Sequence, residues 1–302
     1  MTHCFPNGLT DREIVLRMDS ADRMFEAELM GVAEALHRID GLRFFGLTGP
    51  TCSGKTTAAR MLTDRLENYG YHIHIVSIDD FYFEKTYLHT LSERKGNAEL
   101  DYDSEDTIDV SLLGECAESL LAGKPTCLPH FNFLTGLRES GAKIVPAKDD
   151  LFLFEGIQIL YPKVYAILRG ESYRSIGICP MSAITTGGFT FEPNEIRLMR
   201  RIVRDEIYRA SSASFTLSLW NSVRANEEKN IFPNLATCSH VVDSTMPYEI
   251  GVLKPYLEKS LREVFESDQN AGHAEKILSA VKNVQPIDSS RIADKSLYRE
   301  FI

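Results

Sequence analysis

Residues 49–56 read Gly49, Pro50, Thr51, Cys52, Ser53, Gly54, Lys55, Thr56, a loop bounded by two glycines and closed by Lys-Thr. It follows an apolar strand candidate at residues 43–48 and precedes a helix-compatible run, beginning at Thr57, over residues 57–66. That context is what a Walker A phosphate loop requires. The loop amides can ring a phosphate, and the first helix turn adds unpaired N–H groups and a positive dipole end. Lys55 is placed to reach terminal phosphates and the Thr56 hydroxyl to ligate magnesium, so ATP and Mg2+ are the expected cofactors. A glycine turn opening a helix, with no nucleotide, is the plain alternative.

The rest of the chain alternates in the same way. Strand candidates at residues 72–77, 151–154, 174–179 and 240–242 are interleaved with helix candidates at 110–121, 194–210, 215–228 and 249–266. This alternation predicts an α/β fold: a mostly parallel sheet flanked by helices. Residues 1–40 read as an N-terminal helical extension, with an amphipathic segment at 21–39 whose glutamates disfavour a membrane surface. Residues 41–268 form the expected main domain, with an irregular acceptor-binding insertion at about 82–149 and a helical lid at about 195–230. Residues 269–302 are polar and weakly periodic, and read as a docking arm or a partly disordered tail.

A formal charge of −10 disfavours nucleic acid as a partner. Residues 1–17 carry no secretory pattern, and no apolar run is long enough for a membrane span. The six cysteines form no CxxC pair, which suits reduced thiols in a cytoplasmic protein. Cys52, in the phosphate loop, is a candidate for oxidation.

Three further features bear on chemistry. Asp79 and Asp80 follow a strand, where α/β sheets present functional loops, and either carboxylate could orient an attacking hydroxyl; a solvated helix start is the alternative. Glu155 ends the apolar strand at 151–154 and could hold Mg2+ directly or through water, or mark a simple turn. Arg197, Arg200, Arg201, Arg204 and Arg209 form the densest basic cluster. Several can share a helical face that closes over ATP, unless they serve only surface ion pairs. The histidines show no metal-binding spacing and read as structural, and Trp220 reads as core.

Together these segments resemble the uridine kinase and phosphoribulokinase family, most closely its bacterial nucleoside-kinase-like branch, over roughly residues 42–256. The matching pieces are GLTGPTCSGKTT (46–57), SIDDFY (77–82), DYDSEDTIDV (101–110), LPHFNFLTGLR (128–138), FEGIQIL (154–160), RLMRRIVRD (197–205), EEKNIFP (227–233) and YEIGVLKPY (248–256). The resemblance implies a P-loop NTPase core with an acceptor-binding insertion and a helical lid. It implies transfer of phosphate to a sugar hydroxyl of a small molecule, with a nucleoside 5′-hydroxyl as the first expectation. Asp79 would be the base, with Lys55 and Arg204 assisting transfer. Tyr82, Asp103, Phe131, Arg138 and Arg209 would contact the acceptor, and Arg200 the nucleotide. A homodimer or homotetramer is implied on the same ground. Two departures stand out: Phe131-Asn132-Phe133 with Gly136 lacks part of the pyrimidine-reading polar set, and Ala210 replaces a lid glycine. A phosphoribulokinase-like sugar-phosphate kinase and a nucleotide-binding regulator without turnover are the alternatives, and no guanine-reading NKxD motif is present.

Overall fold

The computed structural model describes residues 1–94, 104–170, 172–264 and 266–302. A short strand, β1 (Thr2–Cys4), leads into the long helix α1 (Asp11–His37). Thr10 and Glu13 form a reciprocal capping box at its start, which satisfies amide groups that helix geometry leaves open. The helix begins well before the amphipathic segment at 21–39, and its buried face, from Ile14 and Met18 to Val32 and Leu36, rests on the main core.

The motif-bearing strand β2 (Phe44–Thr48) is buried at every position, as a central parallel strand covered on both sides must be. It is followed by α2 (Lys55–Glu67), β3 (Ile73–Ser77), α3 (Lys85–Arg94) and α4 (Val110–Leu121). Next come an antiparallel hairpin of β4 (Thr126–Asn132) and β5 (Leu137–Ile144), then β6 (Leu151–Glu155), α5 (Pro162–Leu168) and β7 (Arg174–Cys179). β8 (Ala183–Thr186) and β9 (Phe189–Phe191) join β1 in a small sheet, which leads to α6 (Pro193–Arg209) and α7 (Ala213–Asn226). The chain continues through α8 (Phe232–Leu235), β10 (His240–Asp243), α9 (Glu249–Arg262) and α10 (Ala271–Val281).

The main sheet is parallel throughout, in the order β10-β7-β2-β6-β3. Strand alternation divides its side chains between two cores. Phe45, Leu47, Leu151 and Leu153 face the side covered by α1, α2, α6 and α9. Phe44, Phe152 and Phe154 face the side covered by α4 and α5. The phosphate loop, Asp79 and Glu155 therefore all emerge at one end of the sheet, the carboxyl ends of β2, β3 and β6, where α/β folds place their ligands.

Of the two readings of the tail, partial disorder is corrected: the tail packs on the core. Ala271–Val281 is helical, and Leu297, Tyr298 and Phe301 are buried in the same core as the sheet. Their contacts come from isolated turns without a helical or strand period, so the apolar residues left no periodic trace. Among the described residues, no helix is long and apolar enough to cross a membrane.

Candidate active site

The phosphate loop is held in shape from behind. Gly54 caps α2 with φ of 92°, in the left-handed region that glycine enters without penalty. At Gly49 a Cβ would collide with the Ile178 carbonyl oxygen, so only glycine lets the loop lie against β7. Cys52 also has positive φ, at 55°, a conformation that costs a non-glycine residue energy and needs support from its surroundings. Two buried arginines of α6 supply it. Arg197 donates to the Thr51 carbonyl at 3.2 Å and Arg200 to the Cys52 carbonyl at 3.2 Å.

Each of these arginines is itself locked by a buried carboxylate. Glu227 grips Arg197 at 2.5 and 2.7 Å, and Glu249 grips Arg200 at 2.6 and 2.9 Å, the bidentate geometry that suits a guanidinium. Aromatic faces complete the cages: Trp220 and Phe232 lie beside Arg197, and Tyr298 and Phe301 beside Arg200. Burial works against the Arg200 charge, but Glu249 outweighs it and the guanidinium pKa is raised. Arg200 is therefore not a direct phosphate contact. Its donors are engaged with Glu249, Ser244 and the loop backbone, and it is fully buried.

In front of the loop lies a cavity of about 890 Å³, lined by Thr51, Cys52, Lys55 and Thr56. Gly49, Pro50, Ser53, Gly54 and Thr57 lie behind this lining rather than in it. Lys55 Nζ rests on the Gly49 and Pro50 carbonyls, both at 3.0 Å. Opposite the loop, α6 presents Arg201, Arg204 and Arg209 to the cavity, so the basic cluster divides into a buried pair and a cavity-facing trio. Asp205 braces the trio, taking Arg204 at 2.6 Å and Arg201 at 3.2 Å.

The two adjacent aspartates separate cleanly. Asp80 turns away, accepting from the Phe131 backbone N–H at 3.0 Å and pairing with the His130 ring at 3.0 Å, so it ties the turn after β3 to β4. Asp79 lines the cavity, and the Gln158 amide donates to it at 3.1 Å and to the Tyr82 hydroxyl at 2.9 Å. Burial pushes the Asp79 carboxyl above the usual aspartate range, offset in part by the Gln158 hydrogen bond and the Lys55 charge. Glu155, also in the cavity wall, accepts from Ser77 Oγ at 3.1 Å. Burial raises its pKa as well, with Lys55 opposing and the nearby Asp79 charge adding to the rise.

The acceptor-side residues are mixed. Tyr82 lines the cavity together with Phe133 and Leu134 of the β4–β5 turn. Phe131 lies behind them, its ring 5.5 Å from that of Tyr82 and 5.0 Å from that of Phe133, and does not reach the lining. Arg138 is held by Asp109 at 2.8 Å and is also absent from the lining. Asp103 lies outside the described residues.

Sequence reasoning missed Glu227, Glu249, Gln158 and Glu300. Glu227, Gln158 and Glu249 lie inside the EEKNIFP, FEGIQIL and YEIGVLKPY segments, and that placement was the available signal. Glu300 gave none.

The residues present fit a magnesium nucleotide. Ser53 Oγ is buried beneath the loop with no protein partner among the described residues, and the loop can be built only with glycines at its two ends. The Thr56 hydroxyl and the Glu155 carboxylate are hard oxygen donors lining the same cavity, the donor type Mg2+ selects.

Fold and site together define a P-loop α/β protein with a phosphate cradle and a carboxylate facing one cavity. A sequence profile described as the phosphoribulokinase / uridine kinase family matches residues 44–186. The uridine kinase of Klebsiella pneumoniae subsp. pneumoniae is 31% identical over 190 residues, covering 62% of this chain and 76% of that protein. Uridine kinase-like protein 5 of Arabidopsis thaliana is 27% identical over 195 residues, covering 63% of this chain but only 36% of its own length. The chain thus spans about a third of such longer relatives. Among solved structures, the YGR205w protein superposes with a TM-score of 0.51 at 18% identity, over 72% of this chain and 88% of that one. The chain belongs to the phosphoribulokinase / uridine kinase family.

Proposed function

We propose that the protein transfers the terminal phosphoryl group of ATP to a sugar hydroxyl of a small molecule, with the 5′-hydroxyl of a nucleoside as the acceptor. The observation that carries this reading is that Asp79 lines the same cavity as Lys55 and Thr56, with Gln158 fixing its orientation. Asp79 accepts the proton as the acceptor oxygen attacks phosphorus, and the oxygen–phosphorus bond to the departing ADP breaks. Lys55, Arg204 and Arg209 face the charge spread over the transferring group. Bound magnesium, held by Thr56 and Glu155, would neutralise phosphate charge and orient the nucleotide.

Two features favour a nucleoside over a sugar phosphate. Phe133 and Tyr82 offer flat apolar surface in the cavity wall to a base. Arg138, the acceptor-side cation that could have met a phosphate, is already paired with Asp109. The incomplete pyrimidine-reading set at residues 131–136 supports a base site broader than uridine alone.

The test is ATP consumption against nucleosides and sugar phosphates, with the products identified by phosphorus NMR. A nucleoside 5′-monophosphate is the expected product. Turnover with sugar phosphates alone, or no acceptor-dependent turnover, contradicts the nucleoside assignment.

A further inference from the structure

The amino end of β3, the end remote from Asp79, carries a second cluster of ligating side chains. His72 and His74 are two residues apart where the chain enters this edge strand, so the two-residue period puts both imidazoles on one side. Asp150 directly precedes β6, and the register that pairs Ile73 with Leu151 brings it alongside them. Its carboxylate oxygens lie 3.3 Å from His72 Nδ1 and 2.8 Å from His74 Nε2. One ligating atom from each of the three residues falls within 4.8 Å of the others.

We propose that His72, His74 and Asp150 form a binding site for a divalent transition metal of the zinc class, separate from the catalytic magnesium site. The ligands are His72 Nδ1, His74 Nε2 and one Asp150 oxygen, with the fourth position left to water. Zinc bonds of about 2.0–2.1 Å hold tetrahedral donors about 3.4 Å apart, and the three ligand atoms, now within 4.8 Å of one another, need only a small approach to reach that spacing. Two imidazoles with one carboxylate favour zinc-class ions over magnesium, which prefers oxygen donors throughout.

The site is largely pre-built. The Asp150 side chain is 4% exposed, and the Ala147 N–H donates to its Oδ2 at 2.9 Å. The His74 ring stacks on Phe152 at 5.3 Å between centroids. Arg43, the neighbouring cation, directs its Nε to the Asp150 backbone carbonyl, which leaves the carboxylate to the imidazoles and the Ala147 amide. His72 is 68% exposed and leaves the fourth position open to solvent. Metal binding leaves each imidazole one N–H, on the nitrogen that does not ligate. A bound ion would tie the edge strand β3 to the turn before β6.

The experiment uses the full chain, stripped with a chelator and titrated with Zn2+ against a chromophoric competitor in saturating Mg2+. Cobalt substitution supplies a visible spectrum that reports imidazole ligation. The expected result is one zinc per chain. His72→Ala and His74→Ala should each weaken binding by more than about tenfold and bleach the cobalt bands. His72 is exposed, so its variant keeps the test valid if His74→Ala proves unstable. Failure of the wild-type chain to take zinc from the competitor overturns the proposal. So does equal binding by the His72 variant, which would put the ion on cysteines or the phosphate loop.

Discussion

Glu300 Oε2 accepts a hydrogen bond from the Thr57 backbone N–H at 3.0 Å, joining residues 243 apart in the chain. The contact sets a carboxylate at the positive end of α2, the end the fold offers to phosphate. Leu297 packs against Gly54 in the same turn, and buried Tyr298 and Phe301 anchor the segment on Arg200.

Nucleotide phosphate and the Glu300 carboxylate therefore compete for one end of one helix. Glu300→Gln should tighten ATP binding by about two- to fivefold, since a charge at a helix N-terminus is worth about 0.3–1 kcal/mol. Calorimetric titration with Mg-ATP checks this. Weaker binding in the variant would show that Glu300 supports the nucleotide rather than opposing it.

The Arg200–Glu249 pair is fully buried and shapes the phosphate loop through the Cys52 carbonyl. Arg200→Ala leaves Glu249 uncompensated in the core, and unfolding stability should fall by about 3–5 kcal/mol. Urea denaturation measures it. A loss under about 1 kcal/mol would mean that water reaches the pair in solution.

Gln158 both orients Asp79 and holds its pKa down against burial. As the proposed base Asp79 would work ionised, so activity should fall as pH drops through its pKa, which burial raises above the usual aspartate range. Gln158→Leu removes a restraining hydrogen bond and should move this acid limb to still higher pH while lowering kcat. Gln158 Oε1 has no partner among the described residues, so the substitution takes an acceptor from none of them. The pH profile of kcat/KM is the readout, and an unmoved acid limb would assign it to another group such as Glu155.

Ala210 ends α6 with φ of 50° and ψ of 33°, the left-handed conformation in which a Cβ is penalised. Ala210→Gly should stabilise the chain by up to about 1 kcal/mol, the relief of that strain less the entropy glycine adds to the unfolded chain. Thermal unfolding tests it, and a lower Tm would show that the strain is already balanced by packing.

What could be read in the sequence follows from what is local. The phosphate loop, the acid after β3 and the acid that ends β6 each sit in a short segment with its own strand signal, and their placement at one sheet end follows from parallel topology. The start of α1 was missed: apolar spacing marked only residues 21–39, although Thr10 and Glu13 spell a capping box well before them. The arginines of α6 were not legible either. Helical spacing groups Arg197, Arg201 and Arg204, but burial depends on Glu227 and Glu249, which are 30 and 49 residues away from their partners. The same holds for Asp79 and Asp80, identical in sequence context and separated only by the donors that β4 and Gln158 bring. His72 and His74 read as unremarkable until strand register set Asp150 beside them.

The most direct measurement is the steady-state rate of ATP-to-acceptor transfer for Asp79→Asn against wild type, with nucleotide affinity determined in parallel. Asp79 as the base predicts that kcat falls on the order of 10²–10⁴-fold, the span general-base catalysis supplies, while ATP affinity is nearly unchanged. A variant that retains wild-type turnover, or a wild-type chain that binds ATP and transfers phosphate to no nucleoside or sugar, would contradict it.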